Sequence, residues 1–144
     1  MIRCFEDLEV WHRARELTQS VYDAAERQKL RRDFGLADQM RRASVSIGSN
    51  IAEGFEYGPR KQNIEACYKA KASAGELRSQ VITAHDVKEI DDATFEDLHG
   101  RCEQCSRMLA AYIRNLEIWQ AKFPGVKVAR GRARDAVEVQ RASD

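Results

Sequence analysis

The sequence predicts an all-α protein, an antiparallel up-down-up-down four-helix bundle, and three observations carry that prediction. Only two prolines, Pro59 and Pro124, interrupt 144 residues, and proline inside a helix costs about 3 kcal/mol or more. Between the breaks, apolar residues recur at helical spacing. The connections are short, which sets consecutive helices side by side and antiparallel.

The first helix is expected from about Phe5 to Lys29, with an apolar line at Val10, Ala14, Leu17, Val21 and Ala24. A basic connection, Arg31-Arg32-Asp33, follows, and Asp33 suits the N-cap of the second helix. That helix carries Leu36, Met40, Ala43, Ile47 and Ile51 and is expected to fade at Gly54 and Gly58. Pro59 fits the first turn of a third helix, where its missing N–H is harmless. The third helix shows Ala70, Ala74, Leu77, Val81 and Ala84, and ends before Glu89-Ile90-Asp91-Asp92. Thr94-Phe95-Glu96-Asp97 reads as an N-cap with an acidic first turn. From there Phe95, Leu98, Cys102, Cys105, Leu109, Tyr112, Leu116, Trp119 and Phe123 alternate spacings of 3 and 4. Such a seam belongs to a core-facing helix. Pro124-Gly125 stops it, so residues 1–123 are expected to form the bundle and 124–144 a flexible, mildly basic tail.

Composition narrows the function classes. The chain is 43% hydrophobic and 33% charged, with no apolar run near the ~18 residues of a spanning helix. Met1-Ile-Arg-Cys-Phe-Glu-Asp7 lacks the pattern of a secretory leader. Four scattered cysteines do not make a disulfide framework, and a reduced cytoplasm is the expected setting. A balance of 24 Lys+Arg against 23 Asp+Glu excludes a uniformly basic nucleic-acid coat.

Several motifs resemble chemistry without completing it. Glu9-Val-Trp-His12 and Glu96-Asp-Leu-His99 read Glu-x-x-His, and Glu53 and Glu76 lie on the middle helices. A di-iron carboxylate bundle uses that inventory. Here the helical phase that turns Val10 and Ala14 inward turns Glu9 and His12 away, and an up-down bundle separates the two motifs to opposite ends. Cys102-x-x-Cys105 lacks the second ligand pair of a structural zinc site, and both cysteines fall on the seam. No nucleophile elbow, Walker loop or dinucleotide fingerprint is present. No catalytic residue, cofactor or metal is therefore expected.

The most informative polar stretch runs from Arg41 to Gly54. Ser46, Asn50 and Glu53 recur at i, i+4, i+7 on one helical face, and Ser73 and Glu76 on the next helix are candidate partners. A buried polar network fixing register, a subunit interface and a ligand pocket all fit these residues.

Here the chain resembles a family of four-helix-bundle proteins. They are named for open reading frames in intervening sequences of bacterial large-subunit ribosomal RNA, and are related to the accessory variability protein of diversity-generating retroelements. The resemblance rests on Phe5-Glu-Asp-Leu-Glu-Val-Trp11, on Gly35-Leu-Ala-Asp-Gln-Met-Arg-Arg-Ala43 and on Ser46-Ile-Gly-Ser-Asn-Ile-Ala-Glu-Gly54. Ser73-Ala-Gly-Glu-Leu77 matches more loosely. It covers about residues 4 to 120; Gly48 stands where the family usually has proline. The resemblance implies a four-helix bundle assembling into a ring-like homo-oligomer, a pentamer, with no established enzymatic activity and a proposed affinity for nucleic acid.

Charge is unevenly placed along the chain. Residues 27–42 carry a local +4 (Arg27, Lys29, Arg31, Arg32, Arg41 and Arg42 against Asp33 and Asp38), and residues 86–97 a local −5. The bundle topology brings both segments to one end, where they either neutralise each other or stand solvated. Alternatively Arg31, Arg32, Arg41 and Arg42, repeated around a ring, form a phosphate-binding surface, with Arg130, Arg132 and Arg134 of the tail as a second contact for RNA or DNA. The sequence thus leads to a non-enzymatic homo-oligomer with nucleic-acid binding through a local patch. A structural or protein-adaptor oligomer is the alternative, and a metal or small-molecule binding bundle comes third.

Overall fold

A computed structural model describes residues 1–125, so the expectations for Arg130, Arg132, Arg134 and the tail lie outside the described residues. Four helices follow in order: α1 (Glu9–Glu26), α2 (Phe34–Tyr57), α3 (Arg60–Asp86) and α4 (Asp92–Lys122). Two short 3-10 turns, Phe5–Asp7 and Lys29–Arg32, precede α1 and α2. Each helix packs on the next in chain order, and α4 closes on α1. Among the described residues there is no strand, and no helix is long and apolar enough to cross a membrane.

The core follows the predicted phase. Val10, Ala14, Leu17, Val21 and Ala24 of α1 are buried, as are Met40, Ala43, Ile47 and Ile51 of α2. Ala70, Ala74, Leu77, Val81 and Ala84 of α3 meet Leu98, Cys102, Cys105 and Leu109 of α4. Burying each Leu, Ile, Val or Met contributes about 1.5–3 kcal/mol. The cysteines serve this packing: burial pushes the thiols of Cys67 and Cys102 up to about 12 and that of Cys105 up to about 11. They are therefore protonated and unreactive at neutral pH.

Helix α1 ends at Glu26 and not at Lys29, which belongs to the following 3-10 turn, and the boundaries differ from the sequence expectation in four further places, each with a local cause. The first helix is split before Glu9, because the Asp7 carboxylate accepts from the amides of Arg3 (2.8 Å) and Cys4 (3.4 Å) and caps the 3-10 turn separately. Pro59 stands just outside α3 as its N-cap, with ψ 135°, instead of inside the first turn. α4 begins at Asp92, since Asp91 is the cap and accepts from the Thr94 amide at 2.8 Å. Helix α2 continues through Gly54, where a Cβ would lie 2.8 Å from the Ala66 Cβ and 2.9 Å from Asn63 Oδ1. Gly54 is a close-approach point between α2 and α3, not a helix end.

The seam of α4 also runs out early. Tyr112 and Leu116 still pack against the core, but Trp119 and Phe123 are 44% and 46% exposed. Helix α1 has 18 residues and α4 has 31, about 27 Å against 46 Å. The last turns of α4 overhang the start of α1, and what remains beside them is α3: Tyr68 donates to Glu117 Oε1 (2.9 Å), and the Arg60 guanidinium lies 4.0 Å from the Trp119 ring centre.

Candidate nucleic-acid interface

The first and third connections meet at one end of the bundle. The Leu30 amide donates to the Glu89 carbonyl at 3.2 Å, and Leu30 and Ile90 are both buried. Helix α3 stops in a Schellman pattern: Glu89 N–H reaches the Ala84 carbonyl (2.9 Å), Lys88 N–H reaches that of His85 (3.0 Å), and Lys88 adopts φ 60°. Gln28 also has a positive φ, 61°, but with ψ −166°, an extended conformation costing about 1–3 kcal/mol outside glycine. Its side-chain amide offsets this by donating to Thr94 Oγ1 (2.8 Å) and accepting from the Asp91 amide (2.8 Å).

This stitching decides the electrostatics. The basic and acidic segments are neighbours, yet the neutral Gln28 amide and one main-chain bond join them. Among the described residues no ion pair within 4 Å links the two, and Arg31, Arg32 and Arg41 have none at all. Because Leu30 takes the inward position of its 3-10 turn, Lys29, Arg31 and Arg32 are left exposed around it. Arg42 pairs with Asp38 at 2.8 Å, an exposed i,i+4 contact worth under ~1 kcal/mol. The Arg41 guanidinium lies 5.6 Å from the Tyr22 ring centre. Together Tyr22, Asp38, Arg41, Arg42, Val45 and Ser46 line an open groove of about 530 Å³ between α1 and α2.

Beside Lys29 and Arg32 sit the carboxylates of Asp33 and Glu89. Glu89 Oε2 is shut off from water without a hydrogen-bond partner, and partial burial together with the nearby Asp33 carboxylate raises its pKa. Asp33 is itself committed to the cap of α2, accepting from the Leu36 amide at 3.0 Å.

The polar motif divides. Ser46 Oγ and Ser73 Oγ are 2.9 Å apart, and Asn50 Nδ2 donates to the Ser46 carbonyl (2.8 Å) and Oγ (3.0 Å). These three form a half-buried bridge between α2 and α3. Glu53 and Glu76 are exposed outside it, Glu76 accepting from Gln80 at 3.2 Å. Elsewhere Glu9 pairs with Arg13 (2.7 Å), and His12 Nε2 lies 2.6 Å from the Glu6 carbonyl. Among the described residues no group of three or more His, Cys, Asp or Glu is placed to hold a metal ion.

Two features were not found by sequence reasoning. Phe34, the first residue of α2, is 80% exposed beside the cations, where the periodicity gave it no role. Arg60 is buried against Trp119, its Nη1 without a partner and its pKa lowered by desolvation.

A family model described as 23S rRNA-intervening sequence protein matches residues 6–111, and the chain belongs to that family. A crystal structure of a protein of unknown function from the S23 ribosomal protein family of Bacteroides thetaiotaomicron has the same fold. It aligns with a TM-score of 0.68 at 19% identity, covering 73% of this chain and 95% of that one. Comparison with curated proteins gave no match.

Proposed function

We propose that this member of the 23S rRNA-intervening sequence protein family is a non-enzymatic homo-oligomer that binds nucleic acid through its basic end. The observation that carries this reading is that Arg31, Arg32 and Arg41 have no ion pair among the described residues, despite an acidic segment next door. Guanidiniums without a carboxylate partner are available to phosphates, and repetition around a ring of five subunits multiplies their field. Assembly draws its support from the opposite end, where Ile118, Trp119 and Phe123 expose apolar surface that the four described helices do not cover. The same apolar end favours the second reading, a protein-adaptor oligomer with no nucleic-acid role.

A fluorescence titration with labelled RNA and DNA across salt concentrations separates the two. Phosphate binding predicts an affinity that falls steeply as salt rises. It also predicts that replacing Arg31, Arg32, Arg41 and Arg42 together with Gln removes binding while the oligomer mass stays unchanged. Absence of binding at low salt, or a salt-independent affinity, leaves the adaptor reading. For assembly, light scattering that finds only the 16.4 kDa monomer at micromolar concentration contradicts the oligomer.

A further inference from the structure

Resting on the nucleic-acid reading above, we infer that this end takes an unpaired strand, stacking bases on Phe34 and Tyr22 while Arg32 and Arg41 hold the adjoining phosphates. A phenylalanine that is 80% exposed at the start of a helix contributes nothing to the core; it follows three exposed cations, Lys29, Arg31 and Arg32, with only the capping residue Asp33 between, whose carboxylate accepts from the Leu36 amide. Along α2, Phe34 and Arg41 are two turns apart on one face, a separation of about 10 Å. Tyr22 of α1 adjoins this stripe through Arg41: the residue is 42% exposed and the Arg41 guanidinium lies 5.6 Å from its ring centre. Aromatic faces set among cations match how single strands are gripped, since every base has a face to stack and a charged groove tracks the backbone. A duplex keeps its bases stacked inside and offers these rings only its backbone, so a surface built from cations alone would serve a duplex equally well. The Asp38 carboxylate on the same face is taken up by Arg42 at 2.8 Å, which limits its repulsion of a phosphate.

The test uses the full chain and a labelled RNA strand of about 12 nucleotides, within the usual site size of single-strand binders, alone and annealed to its complement. The wild type is expected to prefer the single strand. Phe34→Ala and Tyr22→Ala are each expected to weaken single-strand binding about 5- to 150-fold, the loss typical of one stacked base, with an unchanged salt slope. Replacing Arg32 with Gln is expected to flatten that slope by about 0.7, the share of one phosphate contact. Equal affinity of the wild type for strand and duplex overturns the inference, as does undiminished binding by both aromatic variants. A lower oligomer mass for Phe34→Ala also overturns it, since Phe34 then faces a second copy. Absence of salt-dependent binding by the wild type to either probe overturns the nucleic-acid reading itself, a different result from these.

Discussion

At one end of the bundle, Leu30 and Ile90 are buried beneath exposed Lys29, Arg31 and Arg32; at the other, Trp119 and Phe123 stand nearly half exposed where α4 overhangs α1. The same kind of apolar periodicity serves both ends, but its neighbours differ. At the loop end the two connections close over each other through Gln28 and the Leu30–Glu89 main-chain bond, so apolar side chains are covered and charge is displaced outward. At the overhanging end, among the described residues, α1 no longer covers the seam. The contrast teaches that one end is finished within the monomer and presents charge, whereas the other is left open and presents aromatic surface.

Truncation at the two ends should therefore act on different observables. Leu30→Ala removes a fully buried side chain and should cost about 2–5 kcal/mol in denaturant unfolding, with the particle mass in light scattering matching that of the wild type. Trp119→Ala, at a half-exposed position, should cost only about 1–2 kcal/mol but lower the assembly mass in light scattering. A Leu30→Ala variant that loses assembly while keeping its stability would invert the comparison. Close to the open end, Gly54→Val forces a Cβ against Ala66 and Asn63 and should destabilise by about 1–3 kcal/mol. A thermal midpoint at or above the wild-type value would show that α2 and α3 part without cost.

A smaller effect concerns pH at the loop end. The pKa of Glu89 is raised in the fold by partial burial and the neighbouring Asp33, so its protonated form is the one the fold favours. Its contribution to stability is fully present below the unfolded pKa and is lost as pH rises through the raised folded value. Glu89→Gln should accordingly be more stable than the wild type near neutral pH, with the gap closing on acidification. A gap that is constant from acid to neutral pH would remove Asp33 and burial as its cause. Smaller still, Ser46→Ala removes the hydroxyl that meets Ser73 Oγ and Asn50 Nδ2, leaving the bond from Asn50 to the Ser46 carbonyl, and should cost about 1 kcal/mol in chemical unfolding.

Much of this fold is legible in the sequence because burial dictates spacing: the predicted α1, α3 and α4 lines are the buried lines, apart from the end of α4. Periodicity reports which way a residue faces, and whether anything lies opposite depends on the length of another helix. Trp119 and Phe123 keep phase with Leu109 yet are exposed because α1 is short. Caps were harder to assign, since Asp91 and Thr94 are both capping types three residues apart, and only geometry shows that the first accepts from the second. Gly54 illustrates a third difficulty. Its composition signals a helix end, while its use is to admit α3 at close range, a tertiary fact with no local trace. In the candidate interface, the segmental charges and their shared end were readable. That Gln28, not an ion pair, joins them was not, and it is this detail that leaves Arg31 and Arg32 unpaired.

The most direct test of the division between the ends is photo-crosslinking from a reactive phenylalanine analogue placed at Phe34 or at Trp119, with labelled single-stranded RNA present. The account predicts RNA adducts from position 34 and adducts between two copies of the chain from position 119. Protein–protein adducts alone from position 34, or RNA adducts from position 119, would contradict it.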